Sequence, residues 1–260
     1  MVGRQRLNSA RRAILAFGIS VAWMVTAYAV SPLVVDDADT TEPGHVQVNP
    51  DFAFVRQGTV WLYSIPVNPV IGINARAELG VIFGYQWRDG SGSTPKTADA
   101  DGISDLAIQP KVWLWQGFDD KLKLTSRLDI KLPTASEHRG LGTGNPDIGV
   151  VGIATYKNGK TNIDWNLGYY PIDVSGSDFG DDHWFAGCAL RRELTTEWTI
   201  FAESYALLPH THAGGNANFY FSGGPQWRIS EHTIFSALIG TAVGQNSPDL
   251  TGTLELAFAF

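Results

Sequence analysis

The sequence predicts an all-β protein, an up-and-down antiparallel transmembrane β-barrel of about twelve strands with short periplasmic turns and longer outer loops. Three observations carry this prediction. The chain ends in an amphipathic strand that stops on an aromatic residue. Its inter-strand connections alternate between long and tight. It opens with an export signal.

The terminal strand, Leu250–Phe260, places Leu250, Leu254, Leu256, Phe258 and Phe260 on one face and Thr251, Thr253, Glu255, Ala257 and Ala259 on the other. In a soluble protein such an edge invites aggregation. In an outer-membrane barrel it is the closing strand, with its aromatics in the interfacial girdle. Phe258 and Phe260 resemble the aromatic-x-aromatic pair that ends many bacterial outer-membrane barrels. Glu255 stands where such strands often carry glycine.

At the other end, Arg4, Arg6, Arg11 and Arg12 precede an apolar run, Ala13–Val25, and a small-x-small exit at Ala27-Tyr28-Ala29. This is the pattern of a cleaved secretory signal. The apolar run is short of the about 20 residues that a membrane helix needs. The organisation read from the sequence is a signal peptide over 1–29, a periplasmic lead-in over 30–43 and a barrel over 44–260. Without its four signal arginines the chain keeps 15 of its 19 basic residues against 26 acidic ones, a net charge near −11. That balance excludes nucleic acid as a partner, because phosphate binding needs a basic surface. The single cysteine, Cys188, rules out an internal disulfide and reads as a small buried or lipid-facing residue.

In the expected mature chain, Val30–Pro43 is acidic and unperiodic. Gly44–Val55 then alternates, with Val46, Val48, Phe52 and Phe54 opposing His45, Gln47, Asn49 and Asp51. Thr59–Val70 is a poorer strand whose Pro66 and Pro69 predict a bulge or bend. Ala75–Trp87, Lys121–Leu132, Thr161–Tyr170 and Asn218–Ile229 alternate cleanly. Ile103–Trp115, Pro146–Tyr156, Trp184–Leu194, Trp198–Leu208 and Thr233–Val243 do so less well. The strands average roughly ten residues, the length of a tilted membrane-crossing strand. After the third strand, long connections (Arg88–Asp101, Pro133–Asn145, Asp173–Asp182, Pro209–Ala217) alternate with tight ones (Gly117–Asp120, Lys157–Lys160, Thr195–Glu197, Ser230–His232), and a medium one, Gln245–Asp249, comes last. A Greek-key sandwich has no reason to alternate in this way. Tryptophans near strand ends suggest two interfacial belts: Trp61, Trp87 and Trp184 on the outer side, and Trp113, Trp115, Trp198 and Trp227 on the inner.

A Lys or Arg facing mid-bilayer lipid costs about 2–4 kcal/mol. The strand charges Arg76, Glu78, Lys111, Lys123, Arg127, Asp129, Lys131, Asp164, Glu203, Arg228 and Glu255 are therefore expected to line the pore. Either they give a weakly selective bore or they satisfy one another and close it.

Several segments resemble one family of outer-membrane barrels, Putative MetA-pathway of phenol degradation. Pro32–Asn49 is similar to its lead-in and first strand. Gly102-Ile103-Ser104-Asp105-Leu106 resembles its G-x-x-D-L segment. Lys131-Leu132-Pro133-Thr134, Gly140–Gly144 and Asn145-Pro146-Asp147 resemble its L-P-T-G…G-x-G…D run, with Ala135 in place of a common glycine. The resemblance implies an outer-membrane channel or transporter passing small solutes, aromatic or hydrophobic compounds among them, in the bacterial cell outer membrane. These motifs carry no chemistry of their own.

Two other readings stand beside the channel. A structural or adhesive barrel would use its acidic outer loops (Asp89, Asp99, Asp101, Asp173, Asp178, Asp181, Asp182) to bind cations that bridge lipopolysaccharide. An outer-membrane hydrolase would use a His beside an acid, such as His138 with Glu137 or His183 with Asp181 and Asp182. No G-x-S-x-G elbow is present, and His210-x-His212 lacks a third metal ligand. The expectation is no catalytic residue, no metal and no cofactor. The expected partners are outer-membrane lipid and lipopolysaccharide, the barrel-assembly machinery through the C-terminal strand, and a small-molecule solute.

Overall fold

The computed structural model describes residues 33–91, 98–142, 144–173, 183–209, 217–244 and 247–260. The expected signal peptide lies outside them, as do His210, His212, Asp178, Asp181 and Asp182. The described residues form thirteen strands and no helix: β1 Val46–Gln57, β2 Val60–Asn74, β3 Ala77–Ser91, β4 Ala98–Ile103, β5 Leu106–Gly117, β6 Leu122–Leu132, β7 Asp147–Asn158, β8 Thr161–Asp173, β9 His183–Glu193, β10 Trp198–Pro209, β11 Asn218–Arg228, β12 Thr233–Val243 and β13 Leu250–Ala259. Twelve of them close into one antiparallel ring, with β1 pairing both β2 and β13. β4 is the extra strand. It pairs only with the outer half of β3 and continues the line of β5 beyond a break at Ser104–Asp105.

Closure leaves no free edge in the ring, so the backbone groups of the wall find partners within the sheet, as a hydrocarbon surrounding requires. At the seam, Val46 and Phe260 exchange both backbone bonds, at 3.1 and 2.8 Å. Deleting Phe260 removes this pair and the terminal aromatic. We expect the variant to yield far less heat-modifiable barrel in the outer-membrane fraction. An unchanged yield would show that the last residue plays no part in assembly.

The outward face is apolar. Leu114, Leu167, Phe219, Phe221, Ile239 and Leu254 are exposed there. An aromatic band girdles its outer end, where Trp61 stacks on Tyr63 at 5.9 Å and Tyr63 on Trp87 at 5.4 Å. Trp198 and Trp227 stack at 5.8 Å near the periplasmic end. Trp113 departs from the expected belt. It pairs across the ladder with Thr125, an inward residue, and lies inside the barrel between the cations of Arg76 and Lys123, 5.3 and 4.9 Å from its ring. The register shift that follows, between Trp113 and Trp115, returns Trp115 to the outer surface. Cys188 opposes Trp165 on the outward face of the wall.

The prolines of β2 do not introduce a bulge. The ladder to β1 keeps one register through Pro66 and Pro69, and the irregularity falls at Gly72/Asn74 instead. Gly84 faces Pro66, and a Cβ built there would lie 2.5 Å from the carbonyl oxygen of Ile65. The missing side chain is what lets β3 close up against the proline.

Candidate functional site

Residues 33–42, taken from the sequence as part of a periplasmic lead-in, lie inside the barrel. The chain enters at the periplasmic rim, where the amide of Gly44 donates to the carbonyl of Gly72 at 2.9 Å. It runs up the bore without joining the sheet. Its apolar residues are buried: Val35 is 1 % exposed and Ala38 0 %, packed with Val151, Ile153, Phe185 and Ala189. That cluster stabilises the segment by roughly 1–2 kcal/mol for each small side chain buried.

The polar contacts are matched one by one. The amide of Val35 donates to Glu203 Oε2 at 2.9 Å. Asn166 braces Asp36 from both sides: its Oδ1 accepts from the Asp36 amide at 2.9 Å, and its Nδ2 donates to the Asp36 carbonyl at 2.8 Å. The amide of Ala38 donates to Thr155 Oγ1 at 2.7 Å, and that hydroxyl donates to Asp164 at 2.6 Å. Thr125 donates to the Ala38 carbonyl at 2.7 Å. The amide of Thr41 donates to Glu78. Wall side chains thus satisfy a backbone that would otherwise be buried without partners.

Three aspartates carry the electrostatics. Asp36 pairs with Lys111 at 3.3 Å and Arg127 at 2.8 Å. Asp37 pairs with Arg191 at 2.8 Å. Asp39 lies between Lys123 at 3.4 Å and Lys157 at 2.6 Å. The wall adds its own acids. Glu78 lies 3.5 Å from Lys111, Asp129 2.7 Å from Arg127, and Asp164 2.9 Å from Arg191. The inward cations therefore meet acids supplied jointly by the wall and by a segment that no ladder bond ties to it.

The structure brings together most of the residues singled out from the sequence. Glu78, Lys111, Lys123, Arg127, Asp129, Asp164 and Glu203 surround the segment. Glu255 faces inward on the opposite side. Lys131 points inward near the outer end, beside Asp147 and 3.9 Å from Asp105. Arg76 and Arg228 are exceptions. Both lie at the periplasmic rim and are exposed, because one occupies a turn and the other ends β11. Sequence reasoning missed Arg191, Lys157 and the three aspartates.

Above the segment the lumen is aromatic. Phe185 and Tyr205 approach at 5.8 Å, Tyr205 stacks on Tyr220 at 4.5 Å, and Tyr170 stacks on His183 at 4.8 Å. Tyr170 also donates to Asp129 at 2.6 Å. The outer mouth is partly covered by the loop after β6. Gln86 and Arg88 donate to the carbonyls of Leu141 and Gly140, and Asp105 accepts the Ala135 amide at 2.8 Å. Arg139 reaches Asp101 of β4 at 2.9 Å. Hydrogen bonds from Tyr85 and Arg139 hold the Asp101 carboxyl below its ordinary pKa. Among the described residues, no three His, Cys, Asp or Glu side chains stand together as metal ligands.

A family model described as Putative MetA-pathway of phenol degradation matches residues 31–260. The chain belongs to this family. The family's span takes in the luminal segment as well as the barrel. The G-x-x-D-L and L-P-T stretches also acquire a role in the fold, since Asp105 of the first anchors the loop opened by the second. The fold is that of outer-membrane barrels. An outer membrane channel from Pseudomonas putida F1 superposes with a TM-score of 0.68 at 14 % identity, over 86 % of this chain and 98 % of that one. The KdgM porin gives 0.55 at 6 % identity over 82 % and 99 %, and the NanC porin 0.53 at 7 % over 82 % and 98 %. No curated protein matches the chain in sequence. The chain has the fold of an outer-membrane β-barrel.

Proposed function

We propose that this family member is a passive channel for small solutes whose bore is governed by the luminal segment 33–42. One observation carries the reading. The hydrogen bonds described between the segment and the wall, from Val35 to Thr41, all use a wall side chain rather than a strand backbone, and the Asp39 amide donates within the segment, to Asp37 at 2.8 Å. It can leave without breaking a ladder bond. The wall charges then line a hydrated path. The inward cations Lys111, Lys123, Arg127 and Arg191 and the acids Glu78, Asp129, Asp164 and Glu203 are its pore-lining groups. The aromatic stretch Tyr170, Phe185, Tyr205 and Tyr220 gives small aromatic or hydrophobic compounds a favourable surface below the outer mouth. The channel similarity of the Pseudomonas putida structure supports the same reading.

Lipid surrounds the apolar wall, with lipopolysaccharide on the outer leaflet, and the barrel-assembly machinery receives β13. The interior serves solute passage rather than catalysis. A second reading, a structural barrel that conducts nothing, is favoured by how completely the segment is paired. Planar-bilayer recording of the refolded protein separates the two. Discrete conductance steps support the channel. A heat-modifiable barrel that stays silent, even with the segment removed, overturns it.

A further inference from the structure

The segment docks against one side of the lumen and leaves a cavity of about 330 Å³ on the other. Asn49, Asp51, Asn68 and Glu255 line it together with apolar Leu33, Pro66, Val70 and Ile82. Asp51 and Glu255 are directly opposed across the β1–β13 ladder. Side chains so placed stand about 5 Å apart at Cβ, and like charges there repel. Among the described residues one cation, Arg127, also lines the cavity, and it is held by Asp36 at 2.8 Å and Asp129 at 2.7 Å rather than by Asp51 or Glu255. Glu255 is 2 % exposed. Ser236 supplies it with one hydrogen bond. Its Oε1 has no partner, and neither do Asp51 Oδ1 and Asn68 Oδ1. Three buried acceptors without a donor, in a cavity with an apolar side, are costly unless a ligand satisfies them.

We infer that this cavity binds a primary ammonium group, with its alkyl part against Leu33, Pro66, Val70 and Ile82. An ammonium carries one positive charge and three N–H donors, which matches the three orphan oxygens. A hard divalent cation takes six or more oxygens and would need waters to complete its shell here, whereas the three donors of an ammonium are matched by the three orphan oxygens alone. The same chemistry has two sources: a small amine solute, or the α-amino group that signal cleavage after Ala29 would free. The binding measurement does not require the protein to conduct, so its failure and failure of the channel reading are separable.

The test is calorimetric titration of the folded, detergent-solubilised mature protein with n-butylammonium, 1-butanol and Ca²⁺. A parallel sample has its terminal amine acetylated. Saturable n-butylammonium binding, with 1-butanol at least about tenfold weaker, is expected for a site built on charge-assisted hydrogen bonds. Binding to the unmodified protein assigns the site to a solute. Binding only after acetylation assigns it to the chain's own amino group. Asp51→Asn and Glu255→Gln should each weaken binding about tenfold or more while heat-modifiable migration is kept. Should either fail to fold, Asn68→Asp serves as the second variant and should tighten binding. Absence of amine binding in both samples, or saturation by Ca²⁺ alone, overturns the proposal.

Discussion

Neutralising the three aspartates of the luminal segment together (D36N/D37N/D39N) is expected to turn a predominantly closed bore into an open one. Asn keeps the shape and the backbone contacts but removes the charge that faces Lys111, Arg127, Arg191, Lys123 and Lys157. These acids are partly screened, with side chains 14 to 19 % exposed. Each substitution should therefore weaken docking by roughly 1–3 kcal/mol, below the full cost of breaking a sealed ion pair. A combined shift of about 4 kcal/mol raises the open population about a thousandfold. Single-channel recording should show long open dwells at a conductance that the unmodified protein reaches rarely. Traces indistinguishable from the unmodified protein would mean that charge does not hold the segment.

The second large effect is predicted for Arg191→Met. Arg191 bridges Asp37 at 2.8 Å and Asp164 at 2.9 Å, and Asp164 is fully buried. Removing the guanidinium strands a wall carboxylate that cannot reach water, whereas the segment can carry Asp37 away. Leaving a buried charge unpaired costs about 3–5 kcal/mol. We expect the heat-modifiability midpoint to fall by about 10 °C, with more frequent openings as a separate consequence. Adding Asp164→Asn should restore most of the midpoint without closing the channel, because it removes the stranded charge but not the loss at Asp37. If the double variant melts as low as the single one, the damage comes from packing rather than charge.

The wall was legible in the sequence because a half-polar strand writes its orientation into every second residue. Lys123, Arg127 and Asp129 fall opposite Leu122, Leu124 and Leu128, and the barrel turns them inward. The signal fails where alternation is interrupted. Arg191-Arg192-Glu193 places charge on both faces at a strand end, so Arg191 did not stand out. Lys157 looked like part of a turn, yet it belongs to β7. Trp113 carries the composition of a belt residue and the position of a luminal one, because a register shift follows it. The luminal segment was least legible. Val34-Val35-Asp36-Asp37-Ala38-Asp39 has no period, since its order comes from side chains far away in sequence. Nothing local pairs Asp39 with Lys157.

That last separation also bears on how the barrel comes into being. The segment precedes β1 directly, but its docking partners sit on β3 and on β5 to β10, from Glu78 to Glu203, 37 to 168 residues further along the chain. Until all of those strands stand in the ring, the surface it grips is incomplete. Once they do, the long chain separation has shrunk to the width of the lumen, and the remaining entropic cost is that of ordering about ten residues. We therefore expect docking to follow ring closure, so that a newly closed barrel conducts until its own leading segment settles inside.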